Sequence, residues 1–317
     1  MGQTAFLADH PRFHRPAPAG TPLAVRRPSG LAAKPTLGLI GLGAFGAFCV
    51  PHLSRFFHIL GHDPARDGAA RALALGVVPA TLAEAAAASI VIPAVPVAVL
   101  AEVAAAIAPH LRPGALVVDV CSLKVEPMAV LERILPASVV VVGTHPLFGP
   151  ASGAKGIKDL RVAVCPGHGP AGAKAEDRVA AFLARRLGLA VHRVSAVEHD
   201  RQMAYVQGLT HLLSRIVTKL DVPEMSLATG TFDHLMRMVH TVDRDSEALF
   251  RTITEANPFV GDLKARLGAI TAEVCAPRDG AELQPPALSS ALAASGVSTS
   301  ISTDAPSARA SIATSQV

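Results

Sequence analysis

The feature that most constrains this chain of 317 residues is a rhythm of short apolar runs. They recur at 36–40 (TLGLI), 57–62 (FHILGH), 89–95 (SIVIPAV), 115–120 (ALVVDV), 138–143 (SVVVVG), 161–166 (RVAVCP) and 190–194 (AVHRV), with helical stretches between most of them. Strands that alternate with helices imply a doubly wound parallel sheet, an α/β architecture. From about Ala196 the strand signals stop, and 196–274 show helical periods only. The expected order is therefore a sheet domain over 35–195 and a small all-helical domain over 196–275. Half of the residues are apolar, enough for a sizeable core, and alanine fills many of these positions. Flanking them, residues 1–34 are rich in Pro, Ala and Arg, and 276–317 in Ser, Ala and Pro; both lack a period and read as a disordered leader and a disordered tail.

The formal net charge of +4 is local. The leader sets Arg12, Arg15, Arg26, Arg27 and Lys34 against Asp9 alone, and the rest of the chain balances to zero. The high pI thus belongs to a tail and not to a nucleic-acid groove, and no nucleic-acid partner is expected. The uncharged stretch from Ala85 to Ala101 is too short, too alanine-rich and too interrupted by Pro93 and Pro96 to span a membrane. Without a secretory signal pattern, the expected location is cytoplasmic; the basic, acid-poor leader makes organelle transit the alternative. Cys49, Cys121, Cys165 and Cys275 are far apart and form no CxxC, so they read as small buried hydrophobes and no metal site is expected.

Directly after the first apolar run comes Gly41-x-Gly43-x-x-Gly46, opening a helix, with Asp63 after the second run. In this context the pattern is a dinucleotide fingerprint of the Rossmann type. The glycines bring the backbone close to a pyrophosphate at a helix N-terminus, with Ala44 and Phe45 inside the loop. Asp63 can accept hydrogen bonds from a ribose diol and would repel a 2′-phosphate, which favours NAD; Arg66, three residues on, softens that preference and makes NADP the alternative. Val95, which ends the third run, and Pro96 after it are expected to border the cofactor. Pro51 lies inside the first helix, where it removes a donor and is expected to kink it.

Two further segments end strands: DVCSLK (119–124) and GTHPLFGP (143–150), in which His145 is the lone ionisable group among two prolines and two glycines. In a parallel sheet the C-terminal strand ends share one edge with the glycine loop, so Ser122, Lys124 and His145 are expected to converge there. Residues 198–220 read as one long helix with Met203, Gln207, His211 and Arg215 spaced by four as a polar stripe, which faces a ligand, a partner or solvent.

Together, GTHPLFGP, DVCSLK, EHD…YVQGLTH and the glycine loop resemble the prephenate/arogenate dehydrogenase family of tyrosine biosynthesis, over about Thr36 to Leu267. GLGAFGAF, THLLSRIVTKL and DSEALF…NP look closest to the plant-type arogenate branch, which also has bacterial members. The resemblance implies a Rossmann domain followed by a helical dimerisation domain, hence a homodimer. It implies oxidative decarboxylation of a cyclohexadienol bearing a ring carboxylate, with hydride transfer to NAD(P). His145 would take the hydroxyl proton, with Ser122 orienting the hydroxyl or the imidazole. The substrate's carboxylates need cations, and Lys124, His211, Arg215 and Arg237 are the candidates, with Gln207 beside them. Here the chain departs from many bacterial members, which place an arginine after a phenylalanine: Asp233 follows Phe232. Fewer cations and an extra acid lean toward arogenate, which carries an ammonium group. Two other readings are a β-decarboxylating or imine-reducing dehydrogenase, with Lys219 as proton donor, and a sensor that binds NAD without turnover.

Overall fold

The computed structural model of the protein describes residues 34–169 and 171–276. Almost all of the expected leader and of the expected tail lies outside the described residues. The chain divides into two compact units, 1–266 and 267–317. The expected boundary at 195/196 falls inside the first, so the sheet and most of the helical segment belong to one unit.

An eight-stranded sheet of order β3-β2-β1-β4-β5-β6-β7-β8 organises the first unit. Its strands are β1 (Thr36–Ile40), β2 (His58–His62), β3 (Val78–Pro79), β4 (Ile90–Pro93), β5 (Leu116–Asp119), β6 (Val140–Pro146), β7 (Arg161–His168) and β8 (Ala190–Arg193). Every pairing is parallel except β6 with β7. The all-parallel expectation is corrected there: the segment after His145 turns back instead of crossing over. Leu147 N–H donates to the Arg161 carbonyl at 3.0 Å, closing that return. The two-residue β3 went unread in the sequence.

Alternate side chains of each strand enter opposite cores, which is why the runs are almost wholly apolar. Leu37, Leu39, Val140 and Val142 join one core; Ile40, Val91, Val139 and Val141 join the other. The first core is covered by α1 (Ala44–Leu53) and α6 (Gly172–Leu187), through Val50, Leu53, Ala175 and Val179. The helices α4 (Val97–Ile107) and α5 (Val125–Ile134) cover the second, through Leu100, Ile107, Met128 and Leu131. Two short helices, α2 (Gly68–Ala74) and α3 (Leu82–Ala86), complete the two layers. Pro51 falls in the last turn of α1, near a natural end. Cys121 and Cys165 are buried and Cys49 partly so, and burial pushes the Cys49 and Cys165 thiols up to about 12. Cys275 is exposed, which corrects its reading as a buried hydrophobe.

No strand follows Arg193 among the described residues. Ser195 caps α7 (Ala196–Met203) by accepting the Glu198 N–H. The expected single long helix is interrupted: a π-helical turn, Ala204–Leu209, joins α7 to α8 (Thr210–Lys219). Then come α9 (Gly230–Val242), α10 (Glu247–Arg251), a second π turn (Thr252–Ala256) and α11 (Val260–Cys275). A Cβ at Gly208 would stand 2.9 Å from Val260 Cγ2, so the first π turn packs tightly against the start of α11. No described helix is long and apolar enough to cross a membrane.

Candidate active site

The glycine loop leaves β1 under two close approaches. Gly41 has φ +95°, and a Cβ there would meet the Ala94 carbonyl oxygen at 2.4 Å. A Cβ on Gly46 would stand 2.0 Å from the Gly41 carbonyl oxygen, so only glycine lets α1 start this near the strand. Gly43 is different: nothing lies within 4 Å of where its Cβ would be. It is the N-cap of α1, no side chain caps it, and no acidic residue occupies the first turn. The backbone N–H groups at that end are left for an anion, as the pyrophosphate of a dinucleotide requires.

Asp63 closes the other side of this loop. Its carboxylate accepts the Leu42 N–H at 2.8 Å and the Ala65 N–H at 2.9 Å. The arginine that approaches it, at 3.6 Å, is Arg71 on α2, itself paired with Asp67. Arg66 is exposed. Arg71 reaches Asp63 because one turn of α2 brings it back over Asp67 and Asp63. Ala44 is exposed and Phe45 half-buried at the start of α1; Val95 and Pro96 lie just beyond β4 on the same edge, where Ile40 pairs with Pro93.

His145 sits inside β6, one residue before its end, and pairs with Ala163 of β7. A register irregularity between Val141 and Gly143 precedes it, and bulges of this kind re-aim side chains beside functional sites. An aromatic chain links this segment to the glycine-loop helix: Phe48 of α1 meets Phe148 edge-on, with ring centroids 6.2 Å apart. The cofactor loop and the histidine segment are therefore neighbours.

Behind His145 lies a buried polar network. Lys124 is 0 % exposed and pairs with Asp119, also 0 % exposed; its ammonium donates to the Thr144 carbonyl at 2.6 Å. The Thr144 hydroxyl donates to the Asp119 carbonyl at 2.7 Å, tying β5 to β6. Asp200 of α7 accepts the Lys124 N–H at 2.8 Å and the Val125 N–H at 2.9 Å, so its carboxylate sits at the start of α5, where a negative charge is favoured. Asn257 holds the Asp200 carbonyl at 2.8 Å. His199 Nδ1 lies 2.7 Å from Asp200 Oδ1, and His199 Nε2 lies 2.9 Å from His145 Nδ1. Burial pushes the His145 imidazole well below the usual histidine range, and His199 and Lys124 add to that. It is neutral near pH 7, as a proton acceptor must be. His199 and Asp200 are the site residues that sequence reasoning missed. The signal available was the adjacent His-Asp pair just inside a capped helix.

The remaining candidates fall apart into separate places. Ser122 is half-buried on the segment between β5 and α5. Lys124 belongs to the core, not to a surface a substrate would reach. His211 and Ser214 are buried on α8 and line a recess with Arg215, Val242, Asp243, Asp245 and Phe250. His211 Nε2 faces Asp245 at 3.1 Å; Arg215 pairs with Glu247 at 2.8 Å and stacks on Phe250. Gln207 Oε1 and the Ser214 hydroxyl are buried with no partner. Arg237 is exposed on α9. Among the described residues no cluster of His, Cys, Asp or Glu has the arrangement to hold a metal ion.

Residues 52–185 match the family described as prephenate dehydrogenase, nucleotide-binding domain. The nucleotide-binding part of this chain is prephenate/arogenate-dehydrogenase-like. It is 30% identical to arogenate dehydrogenase 2, chloroplastic, of Arabidopsis thaliana over 151 residues, 47% of this chain and 42% of that protein. A probable arogenate/prephenate dehydrogenase of Methanocaldococcus jannaschii is 28% identical over 164 residues, 50% of this chain and 36% of that protein. The match therefore spans less than half the length of either relative, and plant and archaeal proteins both match, so no branch is singled out. Prephenate dehydrogenase from Aquifex aeolicus, solved with hydroxyphenyl propionate and NAD+, shares the fold: TM-score 0.59 at 20% identity, over 78% of this chain and 92% of that one.

Proposed function

We propose that the chain oxidatively decarboxylates prephenate or arogenate, with NAD as the hydride acceptor, in the formation of tyrosine or its keto acid. The observation that carries this reading is His145: buried, neutral, beside the glycine-loop helix and backed by a second histidine and an aspartate. A bound nicotinamide supplies the hydride acceptor. The chain's own part is to hold the substrate hydroxyl against the imidazole and take its proton, with Ser122 orienting one or the other. Gly41, Gly43 and Gly46 receive the pyrophosphate; Asp63 receives the ribose diol, with Arg71 tempering the discrimination against a 2′-phosphate.

The recess on α8 offers the substrate's carboxylate His211 and Arg215, each already matched by an acid, together with the Ser214 hydroxyl. Cations so compensated suit a zwitterionic side chain better than a second free carboxylate, which favours arogenate. Lys219, the proton donor of the competing imine-reducing reading, is exposed on α8 and gives it no support.

The helical segment also presents an apolar face: Tyr205, Val206, Leu213, Ile216, Leu220 and Leu235 are all exposed. A second copy is the partner this face suits, as a two-fold pair. Light scattering over a wide concentration range checks it; a stable, active monomer would contradict it. The function itself is tested by incubating the full chain and NAD with each acid and following the absorbance of reduced nicotinamide. Turnover with at least one, faster with arogenate, is expected. Tight NAD binding without turnover on either would favour the sensor.

A further inference from the structure

The chemistry above uses His145 and leaves two fully buried partners without a part in it. We propose that Asp200 and His199 form a closed proton relay behind His145: they fix its Nδ1–H tautomer, leave Nε2 bare for the substrate hydroxyl, and hold the proton while the substrate is oxidised. The proposal rests on the dehydrogenase reading and assigns both residues as positioning residues.

The tautomers follow from the hydrogen bonds. Asp200 accepts two backbone N–H groups, one on each oxygen, from Lys124 at 2.8 Å and Val125 at 2.9 Å, and its Oδ1 lies 2.7 Å from His199 Nδ1. A carboxyl group so surrounded acts as an acceptor only, which is its ionised form. His199 therefore carries its proton on Nδ1. Its Nε2, bare in the neutral ring, faces His145 Nδ1 at 2.9 Å, so the proton between them belongs to His145. The two rings meet at 67°, edge to face and not stacked, which leaves that N–H···N contact as the link between them. One nitrogen of His145 then remains without a proton: Nε2.

The same arrangement decides where the charge goes. An imidazolium at His145 would sit in a buried site beside the Lys124 ammonium and His199. One step further back, at His199, the charge lies 2.7 Å from the Asp200 carboxylate. In the proposed step the substrate O–H bond breaks and a bond to His145 Nε2 forms; the Nδ1–H bond of His145 breaks and an N–H bond to His199 Nε2 forms. The O–H electron pair becomes part of the carbonyl as the C–H pair leaves as hydride to the nicotinamide dinucleotide oxidant. When carbon dioxide departs, the electron pair of the ring–carboxylate bond reaches that oxygen, which takes the proton back by the reverse shift. The overall reaction thus releases no proton. A relay with no outlet suits it, and His199 and Asp200 are 2 % and 0 % exposed.

The test is side-chain 15N NMR of the full-length chain at pH 7, needing neither cofactor nor substrate, with the signals assigned by comparison with His145→Gln and His199→Gln. A His145 ring protonated at Nδ1 with bare Nε2 is expected; a ring protonated at Nε2 overturns the proposal. Kinetics of two variants then separate tautomer from relay. His199→Phe should lose the tautomer and about 10²-fold in kcat, at the low end of general-base effects, with KM little changed. His199→Gln can accept the Nδ1–H through its amide oxygen but cannot carry a proton, so it should keep the tautomer and still lose kcat. Full kcat in His199→Gln overturns the proton-holding role. Should the wild-type chain turn over neither acid, the dehydrogenase reading fails, and the spectrum still decides the tautomer.

Discussion

The polar cluster at the sheet edge and the one in the α8 recess are built in opposite ways. At the edge, Asp119, Lys124, Thr144, His145, His199 and Asp200 are all buried and linked by hydrogen bonds through strand ends and the start of a helix. In the recess, Arg215 is partly exposed and Asp245 exposed, and the buried Ser214 hydroxyl lacks a partner. A satisfied buried network holds one geometry, whereas unpaired buried groups cost free energy until something meets them. Under the proposed function the difference separates chemistry from recognition: His145, the proposed proton acceptor, is fixed before any substrate arrives, and the recess, the proposed carboxylate site, is completed by what binds.

Changes at the edge should therefore act on turnover or folding, and changes in the recess on affinity. The largest effect is expected for His145→Asn, a loss of roughly 10²–10⁴-fold in kcat with NAD affinity unchanged. Steady-state kinetics and NAD titration check it, and unaltered turnover would remove His145 from the chemistry. In the wild-type chain kcat/KM should stay flat as pH falls through about 6.5, the ordinary histidine value, because the folded protein keeps His145 neutral there. His199 and Asp200 of α7, Lys124 at the head of α5 and Asp119 of β5 are the charged and titratable groups around it. The unfolded chain binds that proton first, so stability should fall as pH drops below about 6.5.

Lys124→Met leaves Asp119 charged and buried, and should cost about 3–5 kcal/mol in urea unfolding. Adding Asp119→Asn should recover part of the loss; a stable single variant that only raises KM would instead make Lys124 a substrate ligand. Arg215→Leu should raise KM by roughly 10- to 100-fold, the worth of a hydrogen bond to a charged group, with little change in kcat. A fall in kcat alone would erase the distinction between the two clusters. The smallest effect is expected at Asp63→Ser, a shift of roughly tenfold in the NAD/NADP ratio of kcat/KM, and Arg71→Ala should move that ratio the opposite way.

The sequence carried the sheet further than it carried the site. The first apolar run coincides with β1, and six others each overlap a strand, because strands buried on both faces announce themselves as apolar runs. Strand direction leaves no such mark, so β7 was read as parallel. The π turn was invisible because residues spaced by four look helical whether or not an extra residue is inserted. Lys124 looked like a free cation because a charge buried by a distant carboxylate cannot be seen from its neighbours in sequence. His199 and Asp200 became legible only once α7 was seen to dock on the start of α5, 75 residues away in the chain.

The central claim, oxidation coupled to decarboxylation at the sheet edge, is tested most directly with substrate labelled by 13C in the ring carboxylate. Incubated with the full chain and NAD, it should yield one labelled carbon dioxide for each nicotinamide reduced, at a ratio that holds through the reaction. Reduction of NAD without labelled carbon dioxide would contradict the account, leaving a Rossmann dehydrogenase with a different substrate.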